Sequence, residues 1–258
     1  MKGSNKMSRH VLVTAGTKGL GRKVVETFME KGYTVTTTYR KDDEKLHSLR
    51  EKYSQDNLQL IYSDVTRKDD LKNLVEQAMR AFGRIDMLIN NAGPYVFPRK
   101  KLVDYDDDEW DEVIEGNLSA VFHLLKLVIP IMRIQQFGRI INYGYQGAET
   151  SSGWLNRSAF AAAKAGLASL TKTIAYEEAE NGITSNMVCP GDIRGELKEA
   201  LIADAKLYEG RVTPSGRSAT GEDIARVILF LCNEDSDMIN GTVVEVSGSL
   251  EVIHRFRK

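Results

Sequence analysis

Lys164 follows Phe160 by four residues in the stretch RSAFAAAKAG, residues 157–166. On a helix that spacing puts both side chains on one face, with nothing bulkier than alanine between them. A ring at this distance from an amine serves proton transfer when it carries a hydroxyl, because a nearby ammonium lowers the phenol's pKa. Phe160 carries none. The phenols that the sequence offers nearby are Tyr143 and Tyr145 in RIINYGYQGA, residues 139–148. Strand alternation predicts that these two share a face, and the phenol of Tyr145 reaches farther than a short hydroxyl side chain, towards the space beside Phe160 and Lys164. Ser151, Ser152 and Ser158 lie between the two segments and read more simply as turn and cap residues.

A second signal is HVLVTAGTKGLGRKVVETFMEKG, residues 10–32, an apolar run leading through a glycine-rich turn into an amphipathic segment. Free N–H groups at the start of the following helix, together with its dipole, favour a pyrophosphate over Gly16, Thr17, Lys18, Gly19, Leu20 and Gly21. Further on, TTTYRKDDE places Arg40 and Lys41 just ahead of a helix, where cations oppose the dipole. A bound phosphate explains them better than an exposed helix start does.

These residues need a scaffold, and the alternation of short β-branched runs with longer amphipathic ones supplies it. Strands are expected at HVLVT, YTVTTTY, LQLIYS, DMLIN, RIINYG, TSNMVCP and TVVEVS. Helices are expected from about Gly19, Asp42 and Arg67, over Asp107–Gln135 and Asn156–Glu180, and after Thr220. Strands without polar gaps, alternating with helices, imply an α/β fold: a single-domain, Rossmann-type doubly wound parallel sheet with helices on both faces. Residues 8–258 form that domain, and residues 1–7 read as an extension ahead of it. The polar, glycine-interrupted stretch at about 191–220 follows a strand end, where ligands of such sheets bind, and reads as a mobile substrate lid.

Composition narrows the function. A formal net charge of -1, with 42% hydrophobic and 28% charged residues, lacks the basic excess expected of a nucleic-acid or anionic-membrane partner, so a small-molecule ligand is expected. The most apolar run, AVFHLLKLVIPIM, is interrupted by His123, Lys126 and Pro130 and reads as a buried helix. Cys189 and Cys232 are too few for a disulfide framework, which predicts buried thiols and a cytoplasmic location. His10, His47, His123 and His254 show no ligand spacing, so no metal site is expected.

Five ordered signatures, TAGTKGLG (14–21), NNAG (90–93), Asn117 in EGNLSAVFHL, Lys164, and CPGDI (189–193), resemble the short-chain dehydrogenase/reductase family over nearly the whole chain. Within it the sequence is most similar to bacterial 3-oxoacyl-acyl carrier protein reductases, including GRSATGEDIARVILFL near the end. The resemblance implies an oxidoreductase that moves hydride between a nicotinamide dinucleotide and a carbonyl or alcohol. It places the cofactor against the glycine turn, Asp64 and Val65, Asn91, Ala92 and Gly93, Lys164, and Pro190, Gly191 and Ile193. Asp64 reads equally as a helix N-cap. With Lys18 in the turn and Arg40 beside the adenosine ribose, NADP(H) is favoured over NAD(H).

Departures from the pattern concentrate where the proton must be supplied. The family uses a serine, a tyrosine and a lysine four residues after the tyrosine, with an asparagine holding a water relay. Asn117 and Lys164 fit their places, whereas Phe160 stands at the tyrosine and Tyr145 at the serine. Either Tyr145 is a relocated donor or the chain is a catalytically silent dinucleotide binder acting as sensor or partner subunit. Asn117 reads alternatively as the brace of a kink in its helix. In the glycine turn, Ala15 occupies the first glycine position. The resemblance also makes acyl carrier protein a candidate partner, to which the cluster Arg99–Lys101 offers weak support, although Arg194 and Gly195 depart from the family after CPGDI. It implies a homo-oligomer, dimer or tetramer, joined through the two long helices, with the C-terminal VIHRFRK as an arm.

Overall fold

The computed structural model describes residues 8–95 and 98–253. Seven parallel strands form one sheet in the order β3-β2-β1-β4-β5-β6-β7. They are β1 (His10–Val13), β2 (Thr34–Tyr39), β3 (Leu58–Tyr62), β4 (Met87–Asn90), β5 (Gly138–Tyr143), β6 (Ile183–Pro190) and β7 (Val243–Val246). The helices are α1 (Gly19–Glu30), α2 (Glu44–Lys52), α3 (Lys68–Phe82), α4 (Asp107–Ile114), α5 (Ala120–Gln135), α6 (Ser158–Glu177) and α7 (Gly221–Leu231). The chain builds outward from β1 to β3 and then returns to β1's other side with β4. That reversal opens a crevice at the carboxyl ends of β1 and β4, the place where such sheets bind ligands.

The strands are apolar throughout because both faces are covered. Val11, Val13, Met87, Ile89 and Ile141 enter a core with Val24, Val25 and Phe28 of α1 and Ile224 and Ile228 of α7. Their neighbours Leu12, Leu88 and Ile140 enter the opposite core with residues of α3, α5 and α6. The helix expected over Asp107–Gln135 is continuous in path but contains a π-helical turn at Glu115–Ser119 between α4 and α5. By length and composition this span is apolar enough to cross a bilayer. In the fold it is a core helix, with Val121, Leu124, Leu125, Val128 and Met132 buried. The acidic stretch Asp104–Glu109 leads into α4, where Asp106 and Glu109 form a capping box. Cys189 and Cys232 are buried and unpaired.

The segment after β6, expected to be mobile, is packed. It forms 3-10 turns at Gly195–Lys198 and Ala205–Leu207 and buries Leu197, Ala200 and Ala205. The proposed C-terminal arm lies largely outside the described residues.

At the opposite end of the sheet, His10 is fully buried, stacked on Phe82 at 4.3 Å, with Nδ1 3.0 Å from Thr34 Oγ1. Burial lowers its pKa from 6.5 to about 4, against the opposing pull of Asp86. Between those values the unfolded chain binds a proton that the folded chain refuses, so folding weakens as pH falls through that window. Urea unfolding is expected to show about 3 kcal/mol less stability from this group at pH 4 than at pH 7. His10→Leu should flatten that part of the slope, and an unchanged slope would place the acid sensitivity elsewhere.

Candidate active site

The crevice is held open by polar residues that tie its two walls. Thr14, just beyond β1, accepts through Oγ1 from the backbone N–H groups of Asn91 (3.0 Å) and Ala92 (2.9 Å). Asn91 Nδ2 donates to the carbonyls of Thr14 and Ala15, each at 3.0 Å. The glycine turn is pressed against this asparagine: a Cβ on Gly21 would stand 2.5 Å from Asn91 Nδ2 and 2.6 Å from the Ala15 carbonyl oxygen. Gly16 donates its N–H to Thr37 Oγ1 at 2.9 Å, and Ala15 its own to Thr38 Oγ1 at 2.8 Å.

Ala15 sits at φ 54, in the left-handed region. Holding alanine there costs on the order of 1 kcal/mol that glycine avoids. Ala15→Gly is therefore expected to raise the melting temperature by about 2 °C, part of the gain being offset by glycine's greater freedom when unfolded. A lower melting temperature would show that the turn does not strain Ala15.

The amino end of α1 takes an anion. Gly19 N–H, in the first turn, donates to the carboxylate Oε1 of Glu199 at 2.8 Å. That carboxylate is brought in by the segment after β6. Lys18 is exposed at the N-cap of α1. On the adenosine side, Arg40 lies 3.8 Å from Asp64. Asp64 accepts from the backbone and hydroxyl of Thr66 at 3.0 and 2.8 Å, while Arg67 occupies the N-cap of α3. The N-cap alternative for Asp64 therefore does not hold, because α3 starts three residues later than that role requires. Val65 packs at the edge of the core on the α3 and α5 side.

Around Lys164 and Phe160 the residues converge. Asn117 lies in the π turn, which packs against α6. Its Nδ2 donates to the carbonyls of Val113 and Pro94, both at 2.9 Å. The brace reading is thus the observed geometry, and the side chain's oxygen abuts Gly93, where a Cβ would collide with it. Pi-bulges of this kind interrupt helices at functional sites. Lys164 is buried on α6 with its Nζ 5.5 Å from the Phe160 ring centroid. Burial lowers its pKa from 10.5 to about 8.

Phe160 is surrounded by aromatic rings: Tyr95 at 5.1 Å, Trp154 at 6.0 Å and Tyr145 at 6.4 Å between centroids. Sequence reading missed Tyr95 and Trp154, because each comes from a loop whose path no periodicity specifies. Tyr145 stacks on Trp154 at 5.4 Å and donates its hydroxyl to the Ser152 carbonyl. Its pKa is raised by burial, with the nearby Cys189 adding to the effect. The phenol proton is therefore directed to a backbone carbonyl rather than to Lys164.

Tyr143 does not share a face with Tyr145. It belongs to the core under α1 and α7 with Ile193 and Leu197, whereas Tyr145 belongs to the core under α5 and α6. Strand β5 ends at Tyr143, so the two-residue alternation no longer governs the chain beyond Gly144. The Tyr143 hydroxyl is buried near the carboxyl end of β5 with no hydrogen-bond partner among the described residues, and burial drives its pKa upward. Pro190 closes β6 and Gly191 donates its N–H to the Val246 carbonyl at 3.0 Å, which sets Ile193 on the same side as Tyr143. The glycine turn with an anion on the Gly19 N–H, beside the Thr14–Asn91 wall, fits a nicotinamide dinucleotide.

Comparison with known proteins decides the family. A family model described as Enoyl-(Acyl carrier protein) reductase matches residues 14–250. The chain belongs to the short-chain dehydrogenase/reductase family. Its sequence is 64% identical over 250 residues to YtkK of Bacillus subtilis, provisionally called an oxidoreductase, covering 96% of this chain and 98% of that one. It is 36% identical over 241 residues to the 3-oxoacyl-[acyl-carrier-protein] reductase FabG of Haemophilus influenzae, covering 93% and 96%. A solved Bacillus thuringiensis structure, provisionally titled a 3-oxoacyl-reductase, superimposes with a TM-score of 0.91 at 62% identity, covering 96% of this chain and all (100%) of that one. Within the family this chain is most like the 3-oxoacyl-acyl carrier protein reductases, and the family implies a nicotinamide dinucleotide.

Proposed function

We propose that this chain is an NADP(H)-dependent oxidoreductase acting on a small carbonyl or alcohol, with the proton carried by Lys164. The observation that carries this reading is the buried Lys164 amine beside Phe160, poised at a pKa of about 8. A general acid works best with a pKa near the working pH, and Lys164 meets that condition while Tyr145 is turned to Ser152 and made a weaker acid by burial.

A nicotinamide dinucleotide held against the glycine turn would supply the hydride. Lys164 in its ammonium form donates a proton to the oxygen of the reduced carbonyl, and in its neutral form accepts one from an alcohol. Burial beside the Phe160 ring keeps water from that amine, which maintains its lowered pKa. Asn117 braces the π turn against the Pro94 and Val113 carbonyls. Lys18 and Arg40 supply the charge that favours a 2'-phosphate, so NADP(H) is preferred over NAD(H).

A 3-oxoacyl thioester is the substrate suggested by the FabG relatives, with acyl carrier protein as the partner delivering it. Of the basic cluster considered for that partner, Lys100 is already paired with Glu109 at 2.6 Å, which leaves less charge to attract an acidic protein. A homo-oligomer joined through α5 and α6 accords with the exposed Phe122, Ile134 and Tyr176 on those helices. A cytoplasmic location accords with the two unpaired cysteines.

NADPH oxidation over a panel of ketones, 3-oxoacyl thioesters and quinones tests the reading, with NADPH binding measured alongside. Tyr145→Phe is expected to retain turnover. Loss of turnover in Tyr145→Phe with binding intact would move the donor to that phenol, and binding without any turnover in the wild type would favour a silent dinucleotide sensor.

A further inference from the structure

Among the described residues, Glu199 is the one carboxylate that accepts an N–H of the glycine turn, and it comes from the segment after β6 read as a lid. Its Oε1 accepts the Gly19 N–H at 2.8 Å. Its Oε2 is 2.8 Å from Lys45 Nζ on α2 and 3.9 Å from Arg22 Nε on α1. The Glu199 side chain is only 23% exposed, so these contacts are sheltered from full solvent screening. α1 has no side-chain cap of its own, since Lys18 at the N-cap makes none.

The rest of the lid is fastened behind this residue. The Ala200 carbonyl accepts the N–H of Glu222 at 3.4 Å, and Glu222 Oε2 accepts that of Ile202 at 2.6 Å, which joins the lid to the first turn of α7. Lys198 passes so close to Gly221 that a Cβ there would collide with its carbonyl. α7 packs on α1, so the lid, the phosphate turn and α7 form one contiguous unit.

We infer that Glu199 is an internal phosphate mimic, a latch that holds the lid on the amino end of α1 and that a dinucleotide phosphate must displace. The inference rests on the dinucleotide reading above. A diphosphate and the Glu199 carboxylate compete for the same Gly19 N–H, and both are attracted by Arg22 and Lys45. Release of Glu199 hands those cations to the ligand and frees the lid to move, so binding and lid movement are coupled. The latch lowers apparent affinity by the fraction of molecules in which it is closed. A fixed helix cap, in contrast, would remain in place when nucleotide binds.

Glu199→Gln separates the two. It keeps an oxygen to accept the Gly19 N–H and removes only the charge, so the fold is retained. Two quantities are measured: the NADPH dissociation constant, and the rate of tryptic cleavage after Lys206 without nucleotide, a residue exposed in the lid. Glu199→Gln is expected to bind NADPH about tenfold more tightly and to be cut several-fold faster. Lys45→Gln, which loosens the latch from the other side, is expected to show the same rise in cleavage. The latch requires both changes. Equal or weaker NADPH affinity in Glu199→Gln, or unchanged cleavage, overturns it. Failure of both proteins to bind NADPH removes the dinucleotide reading and the latch together, a result distinct from equal binding.

Discussion

Phe160→Tyr is expected to raise kcat for carbonyl reduction by about 100-fold, the scale of adding a positioned general acid. The substituted ring keeps its place because Tyr95, Trp154 and Tyr145 hold it from three directions. Its new hydroxyl would join a site in which the Lys164 amine already stands 5.5 Å from the ring centroid. An ammonium at that range stabilises a phenolate and lowers the phenol's pKa towards the working pH. KM and NADPH affinity are expected to change little, since the ring's contacts are preserved. A kcat equal to that of the wild type would mean either that chemistry is not rate-limiting or that the ring does not face the reacting oxygen. Single-turnover kinetics separate those two causes.

Lys164→Met is expected to lower kcat by at least 100-fold while leaving the protein as stable as before, or more so. The two effects have one origin. A fully buried amine whose pKa is pushed down to about 8 is costly to hold charged at neutral pH. Methionine fills a similar volume without that cost, so thermal unfolding should not shift downward. Turnover falls because the proposed proton donor, with its pKa of about 8, is gone. NADPH binding is expected to weaken as well, because the family resemblance gives this lysine a place on the cofactor. Retained turnover with unchanged NADPH affinity would exclude Lys164 from both roles.

The sequence made the scaffold legible because the scaffold is periodic. Val11, Leu12 and Val13 alternate between two cores, and a run with no polar gap can only be a strand covered on both faces. The glycine turn was equally readable, since Gly16 and Gly21 are required by close approaches that any side chain would obstruct. What escaped reading depends on where regular structure stops. Tyr143 and Tyr145 were expected on one face, and the end of β5 between them sent their rings to opposite cores. The lid was expected to move freely, yet Leu197 and Ala200 anchor it and Glu199 fastens it to a helix start almost the whole chain away. That contact joins residues 180 apart in sequence, and no local pattern marks it.

The π turn at Glu115–Ser119 escaped for a related reason. An extra residue in a helical turn leaves the apolar period nearly intact on either side, so Asp107–Gln135 read as one regular helix. Its only local mark is Gly116 followed by Asn117, a small residue that admits Pro94 and an amide that can reach a carbonyl four residues back. Asn117 was legible as a functional candidate through the family pattern, while its bracing bonds required the fold.

The most direct test of the account is the pH dependence of kcat for NADPH-linked carbonyl reduction by the wild-type protein, followed from pH 6 to pH 10. With Lys164 as the proton donor, kcat is level while the amine is protonated and falls as pH rises through an apparent pKa of about 8. A kcat that stays level to pH 10, with NADPH bound throughout, would contradict the account, because no group titrating near neutrality would then be delivering the proton.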